Sequence, residues 1–189
     1  MSDRWEIPSM KKTAVLLYPQ FSEYELSVAL SVLMQGSKPV LTVGMTNQPI
    51  SGEAGLTCIP DTTIYDVTID EVDSLLLPGC LDIGALAEEQ RVVDFIMRIA
   101  KADTIIASIS SSPYLLAKAG ILKGKKYTVG LPKDKLGELG VFETENYSDN
   151  VVVQDGNTIT ARGRGFIEFG ICLGKALHLD FNENWYRNT

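Results

Sequence analysis

Residues 103–120 constrain the fold most, because they combine a buried strand, a sharp corner and a helix in one short stretch. Residues 104–107 form a continuous run rich in β-branched side chains, which is typical of a strand covered on both faces of a parallel sheet. Pro113 suits the first position of a helix, and Gly120 suits the position just after its end. The chain is therefore predicted to turn from strand to helix at Ser110.

Such a corner resembles the nucleophile elbow of hydrolases, which has small residues two positions before and after its central residue. Ser108 and Ser112 meet that requirement, and Ser112 is also placed to cap the following helix. An elbow presents its central side chain above the sheet edge, close to the first N–H groups of the helix. Ser110 is therefore suited to act as a nucleophile or to bind an anion.

Strands and helices alternate along the rest of the chain. Apolar runs and turn residues predict strands at residues 13–17, 39–43, 56–59, 74–77 and 126–129, and a hairpin of residues 151–154 and 157–161. Helical spacing predicts helices at residues 23–35, 88–101 and 166–177. This order predicts an α/β fold with a mostly parallel sheet between two layers of helices. The strand exits toward Glu25, Gly79 and Ser110 should then share one edge of the sheet.

Composition limits the classes of function. The 189 residues suit one domain over residues 10–189, preceded by an N-terminal extension at residues 1–9. A net charge of -7 opposes a nucleic-acid or anionic-membrane partner, and no apolar run reaches the length of a membrane span. Three cysteines without CxxC spacing indicate neither disulfides nor a metal site, so we expect no metal or cofactor and a cytoplasmic location.

Glu25 lies near the start of the first helix, where two interpretations compete. As a site residue, its carboxylate would accept or donate a proton at the sheet edge. As a structural residue, it would complete a capping box in which Ser22 caps the helix and Glu25 returns a hydrogen bond to the Ser22 N–H. The local spacing alone favours the capping box.

Ser110 needs a base to act as a nucleophile, because an alcohol is almost wholly protonated near neutral pH. The chain has one histidine, His178, which follows the last helix and is predicted to lie at the surface, away from the sheet edge. A carboxylate such as Glu25 is a weak base for an alcohol. The residues alone therefore favour a hydrogen-bonding Ser110 over a nucleophilic one.

Three further positions are candidates for ligand binding. Gly79 and Cys80 follow the neighbouring strand, and the Cys80 N–H could pair with that of Ser111 in an oxyanion hole. The Cys80 thiol itself is expected to be an inert small hydrophobe, and Cys58 and Cys172 are expected in the core. Arg162 could bind an anionic group at the rim, although a surface salt bridge is an equal alternative.

Five features of the chain occur in a characteristic order, namely Glu25, Pro60-Asp61, residues 77–80 (LPGC), residues 107–113 (ASISSSP) and residues 160–169 (TARGRGFIEF). Together they resemble the ThiJ/PfpI family of the class I glutamine-amidotransferase-like superfamily, most of all the branch of the parkinsonism-associated deglycase/chaperone. The resemblance covers the chain from Met10 to about Leu177. It implies a flavodoxin-like three-layer α/β/α sandwich, usually a homodimer.

The same resemblance implies a reactive cysteine at the elbow, hydrogen-bonded to a glutamate that Glu25 matches. The N–H groups of Cys80 and Ser111 match the oxyanion hole. Ser110 stands where the family has its cysteine, and the positions where branches of the family carry a histidine are Ser111 and Val129-Gly130 here. The cysteine-dependent glyoxalase, deglycase or protease chemistry of the family is thus unexpected in this chain.

Our leading hypothesis is a homodimeric protein that binds a small anionic or carbonyl compound through Ser110, Glu25 and the rim N–H groups. The alternative is a hydrolase or lyase of the amidase, glyoxalase or deglycase type, with Ser110 as nucleophile or Glu25 as acid and base. A second alternative is a chaperone-like or interaction protein, which a large exposed apolar patch would favour.

Overall fold

A computed structural model describes residues 10–187, so the predicted extension at residues 1–9 lies outside the described residues. The strands are β1 (Lys12–Leu16), β2 (Val40–Gly44), β3 (Ile50–Ser51), β4 (Thr57–Cys58), β5 (Thr62–Thr63), β6 (Val72–Leu77), β7 (Ile105–Ile109), β8 (Val152–Asp155) and β9 (Thr158–Ala161). The α-helices are α1 (Glu23–Gln35), α2 (Ile83–Ala87), α3 (Gln90–Ile99), α4 (Pro113–Lys118), α5 (Lys133–Leu136) and α6 (Phe166–Ala176).

Seven strands form one sheet in the order β5-β2-β1-β6-β7-β9-β8. Every neighbouring pair is parallel except β8 and β9, which form the antiparallel hairpin predicted around Gly156. Successive residues of a strand point to opposite faces, and Ile106, Ala107, Ser108 and Ile109 are all fully buried. Both faces of the sheet are therefore covered, and the predicted α/β/α fold with a mostly parallel sheet is confirmed.

The sheet reverses its order beside β1. The chain goes from β1 to β2 on one side and then returns to β6 on the other, so the carboxyl ends of β1 and β6 flank the point of reversal. Ligands in open α/β sheets bind at such a point. The next strand after β6 in the sheet is β7, which leads to Ser110.

Helices α1 and α6 pack closely because α6 presents glycines to α1. A Cβ atom on Gly170 would lie 2.7 Å from the backbone nitrogen of Ala29, and one on Gly174 would lie 2.4 Å from a methyl carbon of Val32. Neither glycine can gain a side chain without moving α1. This contact fixes α1, which carries Glu25, against the helix that follows Gly163.

Two sequence predictions differ from the structure in specific places. The strand predicted at residues 126–129 is wrong, because only Tyr127 forms a β-bridge there, to Tyr147. The backbone N–H of Thr128 donates instead to the hydroxyl of Thr160 at 3.0 Å. The helix predicted at residues 88–101 is shorter, and the separate helix α2, which Asp82 caps through the N–H of Ala85, was not predicted.

The remaining predictions for these elements agree with the structure to within a few residues. Helix α1 has the predicted bounds, with Gly36 at its end. No α-helix between residues 10 and 187 has both the length and the apolar character to cross a membrane.

Candidate functional site

Ser110 is the corner residue that the sequence predicts. Its φ of 65° lies in the left-handed region, and its side chain is half-buried at the end of β7. The N–H of Ser110 donates to the carbonyl oxygen of Ala161 at 2.8 Å, and its carbonyl oxygen accepts from the N–H of Gly130 at 2.5 Å. Hydrogen bonds on both sides thus hold the corner in this conformation.

The small residues beside the corner are fully buried, as an elbow requires. The hydroxyls of Ser108 and Ser112 lie 2.8 Å apart, and the Ser112 hydroxyl also lies 2.9 Å from the carbonyl oxygen of Leu77. The prediction that Ser112 caps the following helix through its side chain is wrong, because this hydroxyl binds the ends of β6 and β7 instead. Ser112 therefore ties two strand exits together.

Glu25 lies at the same edge, and its carboxylate is turned toward Gly79. It is only 2% exposed, and its Oε2 accepts the N–H of Gly79 at 2.7 Å. The capping-box interpretation is wrong because the N–H of Ser22 donates to the Gly79 carbonyl oxygen at 2.9 Å, while the Ser22 hydroxyl donates to Glu53 at 2.7 Å. These partners on a neighbouring loop leave Glu25 directed into the site.

Burial raises the pKa of the Glu25 carboxyl above its ordinary value, because a charged form is poorly solvated there. Hydrogen bonds from the Gly79 N–H, the Ser110 hydroxyl and the Tyr24 hydroxyl oppose this rise in pKa, since each stabilises the carboxylate. Burial is the largest of these effects. Glu25 therefore holds its proton more readily than an exposed glutamate.

Two glycines allow the site groups to approach one another. A Cβ atom on Gly79 would lie 2.7 Å from the Cβ of Ser110 and 2.8 Å from Oε2 of Glu25. A Cβ atom on Gly163 would lie 2.7 Å from Oε1 of Glu25, 2.8 Å from the Tyr24 hydroxyl and 3.3 Å from the Ser110 hydroxyl. The structure thus brings Ser110, Glu25 and Gly79 together.

Sequence reasoning missed two members of this cluster, Tyr24 and Gly163. The only local signal for Tyr24 is its position next to Glu25. Gly163 lies in a turn of 3₁₀ helix, Gly163–Gly165, whose approach to the elbow depends on β9 lying beside β7. Neither contact follows from spacing within one segment.

Cys80 and Ser111 lie opposite each other on neighbouring loops. The N–H of Cys80 donates to the Ser111 hydroxyl at 3.3 Å, and that hydroxyl lies 3.3 Å from the Cys80 carbonyl oxygen. The N–H of Ser111 has no acceptor within residues 10–187. Burial raises the pKa of the Cys80 thiol to about 11, so this thiol is protonated at neutral pH.

Arg162 follows β9 at the same edge, but its side chain binds other partners. Its Nε donates to the Thr128 hydroxyl at 3.3 Å, and its terminal nitrogen donates to the Tyr147 hydroxyl and lies 3.4 Å from Asp149. The guanidinium also lies 5.8 Å from the centre of the Tyr147 ring. Of the two interpretations of Arg162, the structure shows the salt bridge.

The structure places the chain's histidine away from Ser110. His178 is exposed beyond the C-terminal end of α6, whereas Gly163, just before that helix begins, contacts the site. A helix of this length spans roughly 16 Å. Among residues 10–187, no group of three or more His, Cys, Asp or Glu side chains is arranged to hold a metal ion.

Comparison with known proteins identifies relatives over nearly the whole chain. The DJ-1/PfpI family model matches residues 11–175. "Protein dj-1beta" of Drosophila melanogaster is 32% identical over 173 residues, which cover 88% of this chain and 89% of that protein. "Glutathione-independent glyoxalase DJR-1.2" of Caenorhabditis elegans is 31% identical over 173 residues, with coverage of 88% and 89%.

A solved structure supports the same relationship. The crystal structure of Drosophila melanogaster DJ-1beta superposes with a TM-score of 0.77 at 28% sequence identity. The match covers 94% of this chain and 95% of that one. The overall fold of the chain has therefore been observed experimentally in a similar protein.

Proposed function

We propose, since the chain belongs to the DJ-1/PfpI family, that it binds a small carbonyl or anionic compound at Ser110 without cysteine-dependent catalysis. In this proposal Ser110 takes the place of the family's reactive cysteine. Glu25 and the N–H of Ser111 contribute hydrogen bonds to the ligand, and the N–H of Cys80 does so when it leaves the Ser111 hydroxyl. The C. elegans relative is named a glyoxalase, so the carbonyl class of ligand has support from a similar protein.

The observation that carries this proposal is the identity of the groups around the Ser110 hydroxyl. Its neighbours are the carboxyl of Glu25, the hydroxyl of Tyr24 and two glycines, with no imidazole among them. An alcohol requires a base to become a nucleophile, and a carboxyl group is a weak base for an alcohol. The same groups form hydrogen bonds readily, so the geometry favours binding over covalent chemistry.

The first experiment measures turnover and binding in the same purified protein. With methylglyoxal as the probe, we expect no consumption above the buffer rate, and we expect chemical-shift changes at the amides of Gly79, Ser110 and Gly163 on titration. Ser110→Ala should weaken these shifts, whereas Ser27→Ala, which alters an exposed serine of α1, should not. Turnover that Ser110→Ala abolishes would overturn the proposal.

The alternative function is a hydrolase or lyase that uses Ser110 as nucleophile or Glu25 as acid and base. One observation favours it, namely that the Ser110 hydroxyl and the Glu25 carboxyl lie beside the same two glycines, Gly79 and Gly163. A fluorophosphonate probe reacts with activated serines, so mass spectrometry of treated protein tests this function directly. A covalent adduct on Ser110 supports the alternative, and unmodified Ser110 counts against a nucleophilic serine.

We also propose that the protein is a homodimer in the cytoplasm, as the family resemblance implies. Met34 and Trp185 are 68% and 76% exposed and line one pocket together, so this apolar surface is available to a second copy. The three cysteines are free thiols, which suits a reducing compartment. Light scattering on the purified protein distinguishes a dimer of about twice the chain's 20.7 kDa mass from a monomer.

A further inference from the structure

Three side-chain oxygens surround one point beside Gly163. A Cβ atom on Gly163 would lie within 3.3 Å of Oε1 of Glu25, the hydroxyl of Tyr24 and the hydroxyl of Ser110. Two of these groups were predicted as site residues, and the Tyr24 hydroxyl is the third. A glycine at position 163 leaves this point free of side-chain atoms.

The ring of Tyr24 is held in place while part of it remains accessible. It packs edge-on against Phe166, with ring centres 5.5 Å apart and planes at 84°. It is 48% exposed, whereas its neighbour Glu25 is almost completely buried. Tyr24 therefore lies between the buried carboxyl and solvent, where a bound molecule would contact it.

The hydrogen bonding of Tyr24 determines what it can offer a ligand. Its hydroxyl donates to Oε1 of Glu25 at 3.2 Å. Burial and the nearby carboxyl raise the pKa of the Tyr24 phenol, so it stays protonated at neutral pH. A phenol has one proton to donate, so the oxygen of Tyr24 retains lone pairs that accept a hydrogen bond.

We propose that Tyr24 is a ligand-contacting residue that accepts a hydrogen bond from a hydroxyl group adjacent to the ligand's carbonyl group. The carbonyl oxygen would bind the N–H of Ser111, which has no acceptor within the described part of the chain. The adjacent hydroxyl would then lie toward Tyr24 and Glu25. This inference rests on the proposed function and narrows its ligand class to α-hydroxycarbonyl compounds.

A pair of nearly isosteric probes tests this ligand class. Hydroxyacetone and 2-butanone both carry a ketone, but only hydroxyacetone carries the adjacent hydroxyl. Titration of the wild-type protein, followed by amide chemical shifts, should show hydroxyacetone binding about tenfold more tightly, the effect of roughly one hydrogen bond. Equal affinities would overturn the inference while leaving the proposed function standing, and binding of neither probe nor methylglyoxal would overturn both.

Tyr24→Phe removes the hydroxyl and keeps the ring on Phe166. We expect this variant to lose most of the preference for hydroxyacetone and to bind 2-butanone as the wild type does. Tyr65→Phe is the matched control, since Tyr65 is 59% exposed and follows β5, the edge strand that β2 separates from β1. A preference that persists in Tyr24→Phe, or that Tyr65→Phe also removes, would refute a contact between Tyr24 and the ligand.

The pH dependence tests the hydrogen bond from Tyr24 to Glu25, which orients the Tyr24 oxygen in the site. The Tyr24 hydroxyl lowers the pKa of Glu25 by donating to its carboxylate, so Tyr24→Phe should raise the pKa of Glu25. The amide shift of Gly79 reports this titration, because its N–H binds Oε2 of Glu25. A Gly79 titration curve that is identical in wild type and variant would contradict the coupling on which the inference depends.

Gly163→Ala provides a second variant that keeps Tyr24. Its methyl group would occupy the point between the three oxygens and should weaken hydroxyacetone binding by about tenfold or more. Gly137→Ala is the control, because a Cβ atom there meets nothing within 4 Å and its φ is -65°. Unchanged binding in a folded Gly163→Ala variant would show that the ligand does not reach this point.

Discussion

The two sides of Ser110 differ in what their side chains do. On one side, which we call the α1 side, the oxygens of Tyr24 and Glu25 lie around the same point beside Gly163 as the Ser110 hydroxyl. On the other, which we call the 128–150 side, Tyr147 and Asp149 bind Arg162. The N–H of Gly130, on the same side, donates to the carbonyl oxygen of Ser110. The α1 side supplies side-chain oxygens that can bind a ligand, whereas the contact from the 128–150 side is a backbone hydrogen bond from Gly130.

Under the proposed function, this difference explains how a site without a reactive thiol can still bind a ligand. The contacts on the α1 side depend on backbone groups, such as the Gly79 N–H, that are indifferent to the atom at position 110. In the same proposal, activation of the Ser110 hydroxyl would need a stronger base than Glu25, and positions 111 and 130 hold serine and glycine. Binding and catalysis can therefore be lost separately.

Ser110→Cys should have the largest effect. It tests whether the groups of the α1 side lower the pKa of a thiol at position 110. We expect the introduced thiol to react with iodoacetamide at pH 6 about tenfold faster than the thiol of Ser27→Cys, as one unit of lowered pKa implies. Peptide mass spectrometry measures both rates against the native cysteines. Equal rates would mean that the α1 side no longer supports a thiolate, and the comparison between the two sides would fail.

Gly130→His tests whether the 128–150 side has room for an imidazole beside Ser110. A Cβ atom on Gly130 would lie 2.9 Å from the backbone carbon of Ser110 and 3.0 Å from its oxygen, which cannot move without shifting the elbow. We expect a loss of about 1–3 kcal/mol in the free energy of unfolding, measured with urea. Gly137→His should cost less, since that position is open; equal costs would show that the elbow yields easily.

Glu25→Gln should have a smaller effect that depends on pH. The folded-state pKa of Glu25 is raised above its ordinary value of 4.5, so its stability contribution is fully present below that value and is lost as pH rises through the folded pKa. Glutamine does not titrate, so the variant should gain stability relative to wild type across this window, by roughly 1 kcal/mol.

Urea unfolding of the Glu25→Gln variant between pH 4 and pH 8 measures that gain. Glu168→Gln, on the exposed face of α6, is the matched control and should show no such trend. A pH-independent difference between Glu25→Gln and wild type would indicate that Glu25 titrates normally in the folded protein.

Arg162→Ala should have the smallest effect on the site. The guanidinium binds Tyr147 and the exposed Asp149, so we expect ligand affinity to stay within about twofold and stability to fall by about 1 kcal/mol or less. The same hydroxyacetone titration and urea unfolding measure both quantities. A tenfold loss of affinity would mean that Arg162 leaves Asp149 to bind the ligand, and the 128–150 side would then contribute to binding.

The sequence predicts the strands and helices around this site better than the contacts between its side chains. Strand β7 and helix α1 are evident because continuous apolar runs and helical spacing are local properties. Ser110 at the corner follows from the same local pattern. Local spacing wrongly favours a capping role for Glu25, because its actual partner, the Gly79 N–H, follows β6 far along the chain.

The other differences between prediction and structure have the same physical cause, namely contacts between segments that are distant in the sequence. Residues 126–129 are apolar enough for a strand, yet the hydroxyl of Thr160 takes the N–H that a strand partner would need. Tyr24 and Gly163 meet only because α1 packs on α6 and β9 lies beside β7. Contacts between distant segments determine where these residues lie, and the spacing of residues within one segment does not indicate such contacts.

The backbone conformation of Ser110 has an energetic cost. A φ of 65° costs a residue with a Cβ atom about 1 kcal/mol that glycine would not incur. Glycine at this corner would relax the chain, so folding alone gives no reason for a hydroxyl there. The side chain at position 110 therefore has to be explained by the contacts that its oxygen makes at the site, beside the Glu25 carboxyl, and not by the turn.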